Sequence, residues 1–521
     1  MPEYLHPGVY IEEIERGPRP IEGVPTSTAA LLGEAERGST MPKLVTSYKD
    51  YQRWFGDVFH PNKFLPYAAN GFFENGGKRA YVARVVGDGA KTAEAEFGDF
   101  IIRAAGPGLW GTRVFARVSP GTTKDQAGNS VGFRLQLAYW SEGDTPFNTF
   151  LPENRLKTPR PKLIEDFDDL VTDETSPDFY GKRVPFIDLD KGDANQGQES
   201  SALATLVRKL NVPAGARPAD GAQTLANGSD DNAALGTDDF KGLAIAGVRP
   251  IQGLAALELD PYRDVALVHA PGVGFDIAKE IVTHCEKLRF RFAVIDPAKG
   301  QDPGDPRNTI NDSSYAAFYY PWILTSDPRT GARKLIPPGG HVLGVYARSD
   351  TERGVFKAPA NEIVRGALAI ETDINDEIQD TLNPKGVNAI RSFPGRGIRV
   401  WGARTITSNA LWKYVSVRRL FIFLERSIYE GTQWVVFEPN DDKLWARVVD
   451  TIRLFLRTQW RLGALFGRTE QEAFFITCDR TTMSQDDILN GRLICEIGIA
   501  PVRPAEFVIF RIFQNTAESQ R

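Results

Sequence analysis

The segment from Asn383 to Ile406 restricts the folding of this 521-residue chain more than any other. It is rich in glycine, proline and basic residues and contains no acidic residue. A long helix is excluded here, because proline removes a backbone donor and glycine is entropically costly inside helices. The pattern predicts a turn-rich connector that enters a short strand at Ile398 to Trp401. The basic residues are Lys385, Arg391, Arg396, Arg399 and Arg404.

Residue chemistry alone leaves two interpretations of this segment. A basic, glycine-rich loop can cradle phosphate, which would make the chain a nucleic-acid binder. Alternatively, the segment is a domain boundary whose cations pair with acids elsewhere in the chain, and this interpretation is favoured.

Length and composition indicate a multidomain globular protein. A chain of this length is expected to form roughly three domains. The hydrophobic content of 42% and the charged content of 25% are ordinary for such proteins. The net charge is −5, yet residues 386–521 contain 19 Lys and Arg against 14 Asp and Glu. A basic end on an acidic body suggests that the end faces an acidic partner.

The cysteines and the amino terminus indicate the cellular compartment in which the protein is expected to reside. Cys285, Cys478 and Cys495 are widely spaced, which predicts neither a disulfide framework nor a metal site and favours a reducing cytoplasm. Met1 to Tyr10 lacks the pattern of a signal peptide, and no apolar run approaches the ~18 residues needed to span a bilayer. We therefore expect a soluble protein that binds no cofactor and no metal.

The first part of the chain predicts the start of an α/β layer. Ala29 to Gly33 is a buried-strand candidate, and Ser47 to Phe55 is expected to be helical. A second helix should end at Asn75-Gly76-Gly77, before a strand from Ala80 to Val86.

A clearer α/β unit follows, in which strand, helix and parallel strand are predicted at Val265 to Ala270, Asp276 to Leu288 and Phe292 to Asp296. Gly272 and Gly274 open the helix, and Asp296 lies near the offset of a ribose-binding acid. Ile277 occupies the third glycine position of a dinucleotide site, so a cofactor is not expected. His284 and Cys285 have no partner at metal-ligand spacing, which favours a structural role.

Residues 87–240 show short alternating runs between turn residues, which predicts a β-rich insertion. Ala214 to Asp239 is small, polar and acidic, and is expected to be a mobile surface loop. Gly106 to Thr112 has glycines at phosphate-loop spacing but lacks the required lysine. Ser130 matches a nucleophile elbow, yet a strand rather than a helix is predicted after it.

A hydrolase remains the rival function from another class. Asp264, His269 and Asp296 supply an acid and a base for a triad, but no residue of this region has the sequence context of a nucleophile. The protease interpretation is therefore weak.

The C-terminal part offers a helix from Tyr414 to Tyr429, a strand from Trp434 to Phe437 and an amphipathic helix from Lys443 to about Gly463. Asp450 is the only acid within that last helix, so its basic face is predicted to be scarcely neutralised. The alternative is an ordinary solvated face. The basic residues are Lys443, Arg447, Arg453, Arg457 and Arg461.

Both chain ends are predicted to be strands that lack partners. Val9, Tyr10 and Ile11 form a short strand candidate before a Pro/Gly-rich linker. The last strand candidate, Glu506 to Phe513, is apolar on both faces, including Phe507, Val508, Ile509 and Phe510. Such strands aggregate unless they join a sheet, in the same chain or in a neighbouring one.

Several motifs in this chain resemble contractile tail sheath proteins, the subunits that polymerise around the inner tube of phage tails and injection particles. The similar segments are HPGVYIEE, NGG-x-x-AYV-x-RV, PGLWG, GVFKAPANEIVRGA, LNPKGVNAIRSFPGRGIRVWGARTI and FEPND-x-x-LWARV. They cover both ends, the α/β middle and the C-terminal part, and cover the β-rich insertion least.

The resemblance implies an α/β and α+β multidomain fold with a subtilisin-like middle domain. It implies a linker arm at 1–25, an α/β sheath domain at 26–90 and 241–385, an outward-facing insertion at 91–240, a tube-facing domain at 386–505 and a strand arm at 506–521.

The resemblance also implies function and partners. The chain would form hexameric rings stacked into a helical sheath, contact the inner tube through the basic helix face, and exchange terminal strands with neighbours. Baseplate and terminator proteins would be further partners, without direct contact to nucleic acid or membrane. Assembly is expected in the bacterial cytoplasm, with contraction and no catalysis.

Overall fold

The computed structural model describes residues 20–191, 200–213, 215–231, 233–242, 252–302, 304 and 311–511. The chain divides into two compact units. The α/β unit comprises Pro25–Arg353 and Lys357–Arg418, and the C-terminal unit comprises Met1–Val24, Gly354–Phe356 and Arg419–Arg521. Residues 386–418 belong to the α/β unit, so the predicted boundary at residue 386 is wrong.

The α/β unit contains twenty strands among its described residues. They are β1 (Ala29–Gly33), β2 (Lys43–Val45), β3 (Ala80–Arg84), β4 (Glu94–Phe97), β5 (Phe100–Ala104), β6 (Val114–Pro120), β7 (Phe133–Tyr139), β8 (Leu163–Leu170), β9 (Phe186–Asp188), β10 (Ala204–Arg208), β11 (Gly221–Thr224), β12 (Leu267–His269), β13 (Phe292–Ile295), β14 (Ala316–Tyr320), β15 (Ile323–Ser326), β16 (Arg333–Ile336), β17 (Glu362–Ile363), β18 (Ala369–Ile370), β19 (Val387–Phe393) and β20 (Gly397–Val400).

Its helices accompany these strands. They are α1 (Tyr48–Phe55), α2 (Leu65–Glu74), α3 (Tyr180–Arg183), α4 (Thr237–Lys241), α5 (Gly253–Leu257), α6 (Phe275–Leu288), α7 (Gly339–Arg353) and α8 (Asp376–Leu382). The next helix, α9 (Val415–Gly431), contains the division between the two units.

The α/β unit is built on a nine-stranded sheet with the order β17-β20-β19-β14-β13-β12-β1-β3-β2. The six strands from β19 to β3 in this order pair in parallel, and the outer strands pair antiparallel. Short, continuously apolar runs such as AALLG in β1 and FAVI in β13 are fully buried, as expected for parallel strands covered on both faces. The α/β predictions for both parts of this unit are confirmed.

Helices α2 and α7 pack together closely through glycines. A Cβ built at Gly340 would lie 2.4 Å from the Cα of Ala68, and one at Gly71 would lie 2.2 Å from Nδ1 of His341. Both distances are far below van der Waals contact, so these positions accept no larger side chain without movement.

The β-rich insertion is confirmed and has a core of its own. It forms two four-stranded sheets, β4-β5-β10-β9 and β11-β6-β7-β8. Trp110, Phe133 and Leu206 are among the side chains buried in this core. The predicted mobile loop at Ala214 to Asp239 is wrong for its centre, because β11 pairs antiparallel with β6.

The basic segment from Asn383 to Ile406 is a β-hairpin of β19 and β20 within the large sheet, and not a connector at a domain boundary. Its cations contact mostly backbone and amide oxygens, and Arg391 also pairs with an acid. These contacts are Lys385 with the Gly304 carbonyl, Arg391 with Asp376 at 2.8 Å, Arg396 with Asn361 Oδ1 at 3.0 Å, Arg399 with the Asn361 carbonyl at 2.7 Å and Arg404 with the Asn383 carbonyl at 2.8 Å. The hairpin is therefore a structural element held by its own basic side chains.

The C-terminal unit contains, after α9, the helices α10 (Asp442–Arg461), α11 (Glu470–Ala473) and α12 (Gln485–Leu489) and the strands β21 (Phe474–Thr477) and β22 (Glu496–Ile499). The predicted helices at Tyr414 to Tyr429 and Lys443 to Gly463 are confirmed as α9 and α10. The predicted strand at Trp434 to Phe437 is wrong. Gln433–Val435 forms a 3-10 turn, and Phe437 has a positive φ of 68° that ends any extended run.

Candidate assembly surfaces

Helix α10 carries the predicted basic face, and its sequence explains where it begins. The Asp441 carboxylate caps the amino end by accepting a hydrogen bond of 2.8 Å from the Leu444 N–H. Trp445, Val448, Ile452 and Phe455 recur at helical spacing and are buried. The helix is thereby fixed with one apolar and one charged face.

The buried face of α10 packs into the core of the C-terminal unit. That core includes Leu420 and Leu424 of α9, Phe474 of β21, and Ile21 from the amino-terminal segment. The Trp445 Nε1–H donates to Asn440 Oδ1 at 2.7 Å, so the polar edge of this buried ring is satisfied. This packing fixes which side chains of α10 are left facing outward.

Three of the five basic side chains on α10 have acidic partners, which corrects the prediction of a scarcely neutralised face. Arg447 pairs with Glu438 at 3.0 Å. Arg457 pairs with Glu470 at 2.7 Å, and Arg453 lies 3.7 Å from the same carboxylate. Glu438 lies in the loop before α10 and Glu470 on α11, so counting acids within the helix missed them.

The Glu470 carboxylate is held charged by this cluster. The hydrogen bond from Arg457 lowers the pKa of Glu470, with further contributions from the positive charges of Arg453 and Arg461. Lys443 and Arg461 are exposed and form no ion pair with any residue that the structure describes. The face therefore keeps two unpaired cations at its ends and a neutralised centre.

Exposed apolar side chains lie in the same unit and were not anticipated from the sequence. Leu454 on α10, Leu462 directly after its last residue and Phe466 are exposed, Phe466 by 72%. These residues partly follow the same helical period as the buried apolar residues, so the sequence did not distinguish the exposed ones from the buried ones. A surface that combines cations with exposed apolar groups is typical of a contact region.

The second surface is the two-stranded sheet of β21 and β22. The strands pair antiparallel with Phe474 opposite Ile499 and Thr477 opposite Glu496. The Ala500 N–H donates to the Ala473 carbonyl at 2.9 Å, which makes the pair of Ala473 and Ala500 a hydrogen-bonded one. Because hydrogen-bonded and non-hydrogen-bonded pairs alternate, the N–H groups of Ile476 and Ile497 point away from the pair, toward the two edges.

The terminal segment after β22 forms no strand within the described residues. Residues 503–511 have no regular structure, and the prediction of a strand beginning at Glu506 is wrong for the single chain. Phe507, Val508, Ile509 and Phe510 are exposed by 72%, 68%, 78% and 84%. The rest of the predicted strand, Ile512 and Phe513, lies outside the described residues, as do Val9, Tyr10 and Ile11.

The catalytic triad considered from the sequence does not form, because Asp264 lies apart from His269 and Asp296. His269 and Asp296 meet at the carboxyl edge of the parallel sheet, with Nε2 3.4 Å from the Asp296 carboxylate. Asp264 pairs instead with Arg79 at 2.8 Å. A Cβ at Gly339 would lie 2.1 Å from the His269 ring, so backbone fills the space beside the imidazole.

The Asp296 carboxylate binds backbone N–H groups of the protein, which is a structural role and not that of a ribose-binding acid. Its carboxylate accepts hydrogen bonds from the N–H groups of Gly272 at 3.2 Å and Gly339 at 2.7 Å. Burial raises the pKa of this carboxyl, while His269 and the two N–H groups oppose that shift. Through these two hydrogen bonds Asp296 connects the turn before α6 to the start of α7.

The two loop motifs are turns, as predicted. Gly106 to Thr112 leads into a 3-10 turn at Leu109–Arg113. Ser130 lies in the loop between β6 and β7, where its hydroxyl donates to the Gly121 carbonyl at 2.9 Å and contacts Lys124 Nζ at 2.5 Å. A helix following the serine, which a nucleophile elbow requires, is absent, since β7 follows instead.

His284 has structural partners. Its Nε2 lies 2.7 Å from Nη1 of Arg291, and its Nδ1 lies 3.5 Å from Glu258. Burial lowers the pKa of His284, with the Arg291 charge adding to the shift. Within the described residues no group of His, Cys, Asp and Glu side chains is arranged to hold a metal ion.

Among the helices the structure describes, none combines the length and the apolar character that crossing a bilayer requires.

A mixed α/β chain with an open two-stranded sheet and an exposed apolar end is typical of a subunit that completes its surfaces in an assembly. Comparison with known families agrees. Residues 244–406 match the phage tail sheath protein central domain, and residues 407–515 match the phage tail sheath C-terminal domain. Together the two matches cover just over half of the chain, and the protein belongs to the phage tail sheath family.

Individual relatives are distant. The tail sheath protein of Vibrio phage KVP40 is 22% identical over 261 residues, which is 49% of this chain and 38% of that protein. The chain spans between 37% and 59% of the length of the curated relatives it matches.

Solved structures resemble the chain over nearly its whole length. The contracted sheath of the extracellular contractile injection system PVC is 23% identical, covers 100% of both chains and has a TM-score of 0.58. A chain of the six-fold symmetrised baseplate of the anti-feeding prophage (AFP) is 23% identical, covers 98% of this chain and 100% of its own, and has a TM-score of 0.55. At these identities the likeness establishes the fold.

Proposed function

We propose that this chain is the structural subunit of a contractile sheath. It polymerises as stacked rings around an inner tube and is trapped during assembly in an extended state. Contraction to a shorter, wider form then drives the tube through a target envelope. The energy comes from conformational free energy stored at assembly, and the chain itself catalyses no reaction.

The observation that carries this proposal is the unfinished carboxyl end of the single chain. Four consecutive large apolar residues, Phe507 to Phe510, are exposed by at least 68%. Such a segment is typical of a surface that a sheet of the same chain or of a neighbouring chain covers, and we propose the neighbouring chain. The sheet of β21 and β22 in a neighbouring copy could accept this segment as an added strand, because its edges carry outward-pointing N–H groups.

Strand exchange is the proposed form of that contact. A strand that adds to a sheet edge gains backbone hydrogen bonds that do not depend on the orientation of the rest of its subunit. We propose that the carboxyl-terminal segment and the strand predicted from the sequence at Val9, Tyr10 and Ile11 complete the sheets of neighbouring copies. Subunits would then stay linked while their relative orientation changes during contraction.

The basic side of α10 is the proposed tube contact. It comprises Lys443, Arg447, Arg453, Arg457 and Arg461, of which Lys443 and Arg461 supply the cations unpaired in the described part of the chain. Glu438 and Glu470 neutralise the centre, so an acidic tube surface would be steered mainly by the two ends of the helix. The neighbouring exposed Leu462 and Phe466 would add apolar contact area.

Finer features are proposed on the family likeness. We propose hexameric rings, a baseplate and a terminator as further partners, and assembly in the bacterial cytoplasm. The insertion at 91–240 would face outward. A subtilisin-like ancestry of the α/β unit is supported by the His269 and Asp296 pair at the carboxyl edge of its parallel sheet.

Electron microscopy of the purified full-length chain tests the proposal directly. At high protein concentration we expect rings or tubes of regular diameter. A protein that stays monomeric at every concentration and salt, by microscopy and light scattering, would refute the sheath assignment.

Deletion of residues 1–17 tests strand exchange. The variant should fold, as judged by circular dichroism, but should not form an extended, contractile sheath. The matched variant Ile497→Pro removes an outward-pointing N–H of β22 and should show the same defect, whereas contraction in either variant would contradict strand exchange.

Charge reversal tests the tube contact. Lys443→Glu with Arg461→Glu should leave thermal stability nearly unchanged, since neither side chain has an ion pair in the described part of the chain. Co-expression with the tube protein should then give no sheath on tubes. Arg155→Glu with Arg160→Glu, two exposed cations of the insertion, is the matched control and should assemble normally. Normal assembly of the α10 variant would rule out this face.

A further inference from the structure

Two of the three cysteines meet at the end of the β21 and β22 pair. Thr477 lies opposite Glu496, so the next positions in the same register are Cys478 and Cys495. The two thiols are near enough for each to affect the pKa of the other. Sequence spacing concealed this pair, because 16 residues separate the two cysteines along the chain.

The register gives the pair a geometry suited to a covalent bond. Ala473 and Ala500 form a hydrogen-bonded pair, and alternation makes Cys478 and Cys495 a non-hydrogen-bonded position. At such positions the Cα atoms are about 4.5 Å apart and the side chains lie closest. That separation falls within the range of about 4.4–6.8 Å seen across disulfides.

The surroundings keep both thiols on the core side of the sheet. Cys478 is buried with Phe474 in the core of the C-terminal unit, and Cys495 packs against the same core while remaining half-buried. The third cysteine, Cys285, is fully buried on α6 of the other unit. Cys495 is therefore the thiol that a small reagent reaches first.

We propose that Cys478 and Cys495 are a redox modification site, which forms an intrachain disulfide when the protein meets a small-molecule disulfide. This goes beyond the sheath function. Its consequence for assembly rests on the proposed strand exchange, because the bond would lock together the two strands that accept arms from neighbours.

The reaction balances with a low-molecular-weight disulfide as the oxidant. The Cys495 thiolate attacks one sulfur of the reagent, and a small thiolate leaves. The Cys478 thiolate then attacks the Cys495 sulfur of the mixed disulfide and expels the second small thiolate. Two protein thiols are oxidised, one reagent disulfide is reduced to two thiols, and the protein's protons pass to them through solvent.

Burial sets the rate of this reaction. It raises the pKa of Cys495 to about 12, with the Cys478 thiol adding to the shift, and it also raises the pKa of Cys478. Thiolate is therefore scarce at neutral pH, and oxidation should accelerate as pH rises toward 9. The pair would stay reduced in a glutathione-buffered cytoplasm and oxidise slowly after release.

The test uses the full-length protein in graded mixtures of oxidised and reduced glutathione at pH 7 and pH 9. We expect a mass loss of about 2 Da per chain and a peptide in which Cys478 is linked to Cys495. The oxidised protein should unfold about 5 °C higher than the reduced protein, since the bond closes a loop in the unfolded chain. Dithiothreitol should reverse both changes.

Variants and controls separate this site from its alternatives. Cys285→Ala should retain the mass loss, whereas Cys478→Ser and Cys495→Ser should each abolish it. Oxidation in urea should give bonds that include Cys285. Stable addition of glutathione without loss of the second thiol, or two thiols that remain free at pH 9, would overturn the proposal. These outcomes are read on unassembled protein, so they are independent of whether the chain forms a sheath.

Discussion

Replacing Gly344 with alanine tests the close packing of helices α2 and α7 in the α/β unit. Gly344 lies inside α7 and faces α2. A Cβ there would lie 2.5 Å from the Phe72 carbonyl oxygen, 2.5 Å from Cβ of Asn75 and 3.1 Å from the Gly71 carbonyl oxygen. Two of these three atoms belong to backbone, so rotation of a side chain cannot relieve the contact.

We expect Gly344→Ala to destabilise the protein, whereas a Gly→Ala change inside a helix usually stabilises it. Inside a helix, Gly→Ala ordinarily stabilises by about 1 kcal/mol. Here the contacts must lengthen by about 1 Å to reach van der Waals distance, while the neighbouring contact of Gly340 with Ala68 resists separation of the helices. Overpacking of this kind costs about 1–3 kcal/mol, and the buried Asn75, which bonds the Arg365 backbone, would be displaced as well. We expect a net loss of about 1–2 kcal/mol.

Hydrogen exchange gives the local readout, because a chain of two units need not unfold in one step. Peptides covering α2 and α7 should exchange faster in Gly344→Ala than in the wild type. Gly274→Ala is the control, since its Cβ meets no atom within 4 Å, and it should change exchange only near the start of α6. Slower exchange or a higher unfolding midpoint in Gly344→Ala would refute the described packing.

Two further changes probe buried charge. The fully buried Arg84 guanidinium donates to the carbonyls of Ala35 at 3.3 Å, Gly38 at 2.9 Å and Pro107 at 2.8 Å, so Arg84→Ala should lower the urea unfolding free energy by about 3 kcal/mol or more. A loss below about 1 kcal/mol would contradict those bonds. Burial lowers the pKa of His341 to about 4, and neither ring nitrogen has a partner in the described part of the chain. Because the unfolded chain takes up this proton near pH 6.5 and the folded chain does not, stability should fall between pH 6.5 and 4 by at most about 1.4 kcal/mol per pH unit. His341→Gln should flatten that slope, and an unchanged slope would exclude this histidine as its source.

Local patterns predicted the elements that depend on nearby residues. The strand, turn and helix around α6 follow from Gly272, the apolar period and the buried run of β13. Helix α10 follows from the Asp441 cap and its recurring apolar residues. In each case the determining interactions lie within about a turn or a tight loop, and these are visible in the sequence.

Features that depend on distant pairing were missed. The hairpin of β19 and β20 looked like a boundary because its pairing partner, β14, lies about seventy residues earlier, at Phe318 opposite Val387. Arg457 looked unpaired because Glu470 lies 13 residues away on another helix. At both chain ends the residue pattern predicted only strands that need a sheet, and the family resemblance carried the expectation that they pair with neighbouring copies.

The C-terminal unit is assembled from three separate pieces of chain, and this has a consequence for synthesis. Ile21 and Val355 belong to the same core as Leu420, and the Val24 N–H donates to the Ser427 hydroxyl at 3.1 Å across 403 residues of sequence. The earliest of these residues leaves the ribosome long before its partners have been translated. The unit can therefore close only when the chain is nearly complete, so a chain still bound to the ribosome would carry this core unclosed.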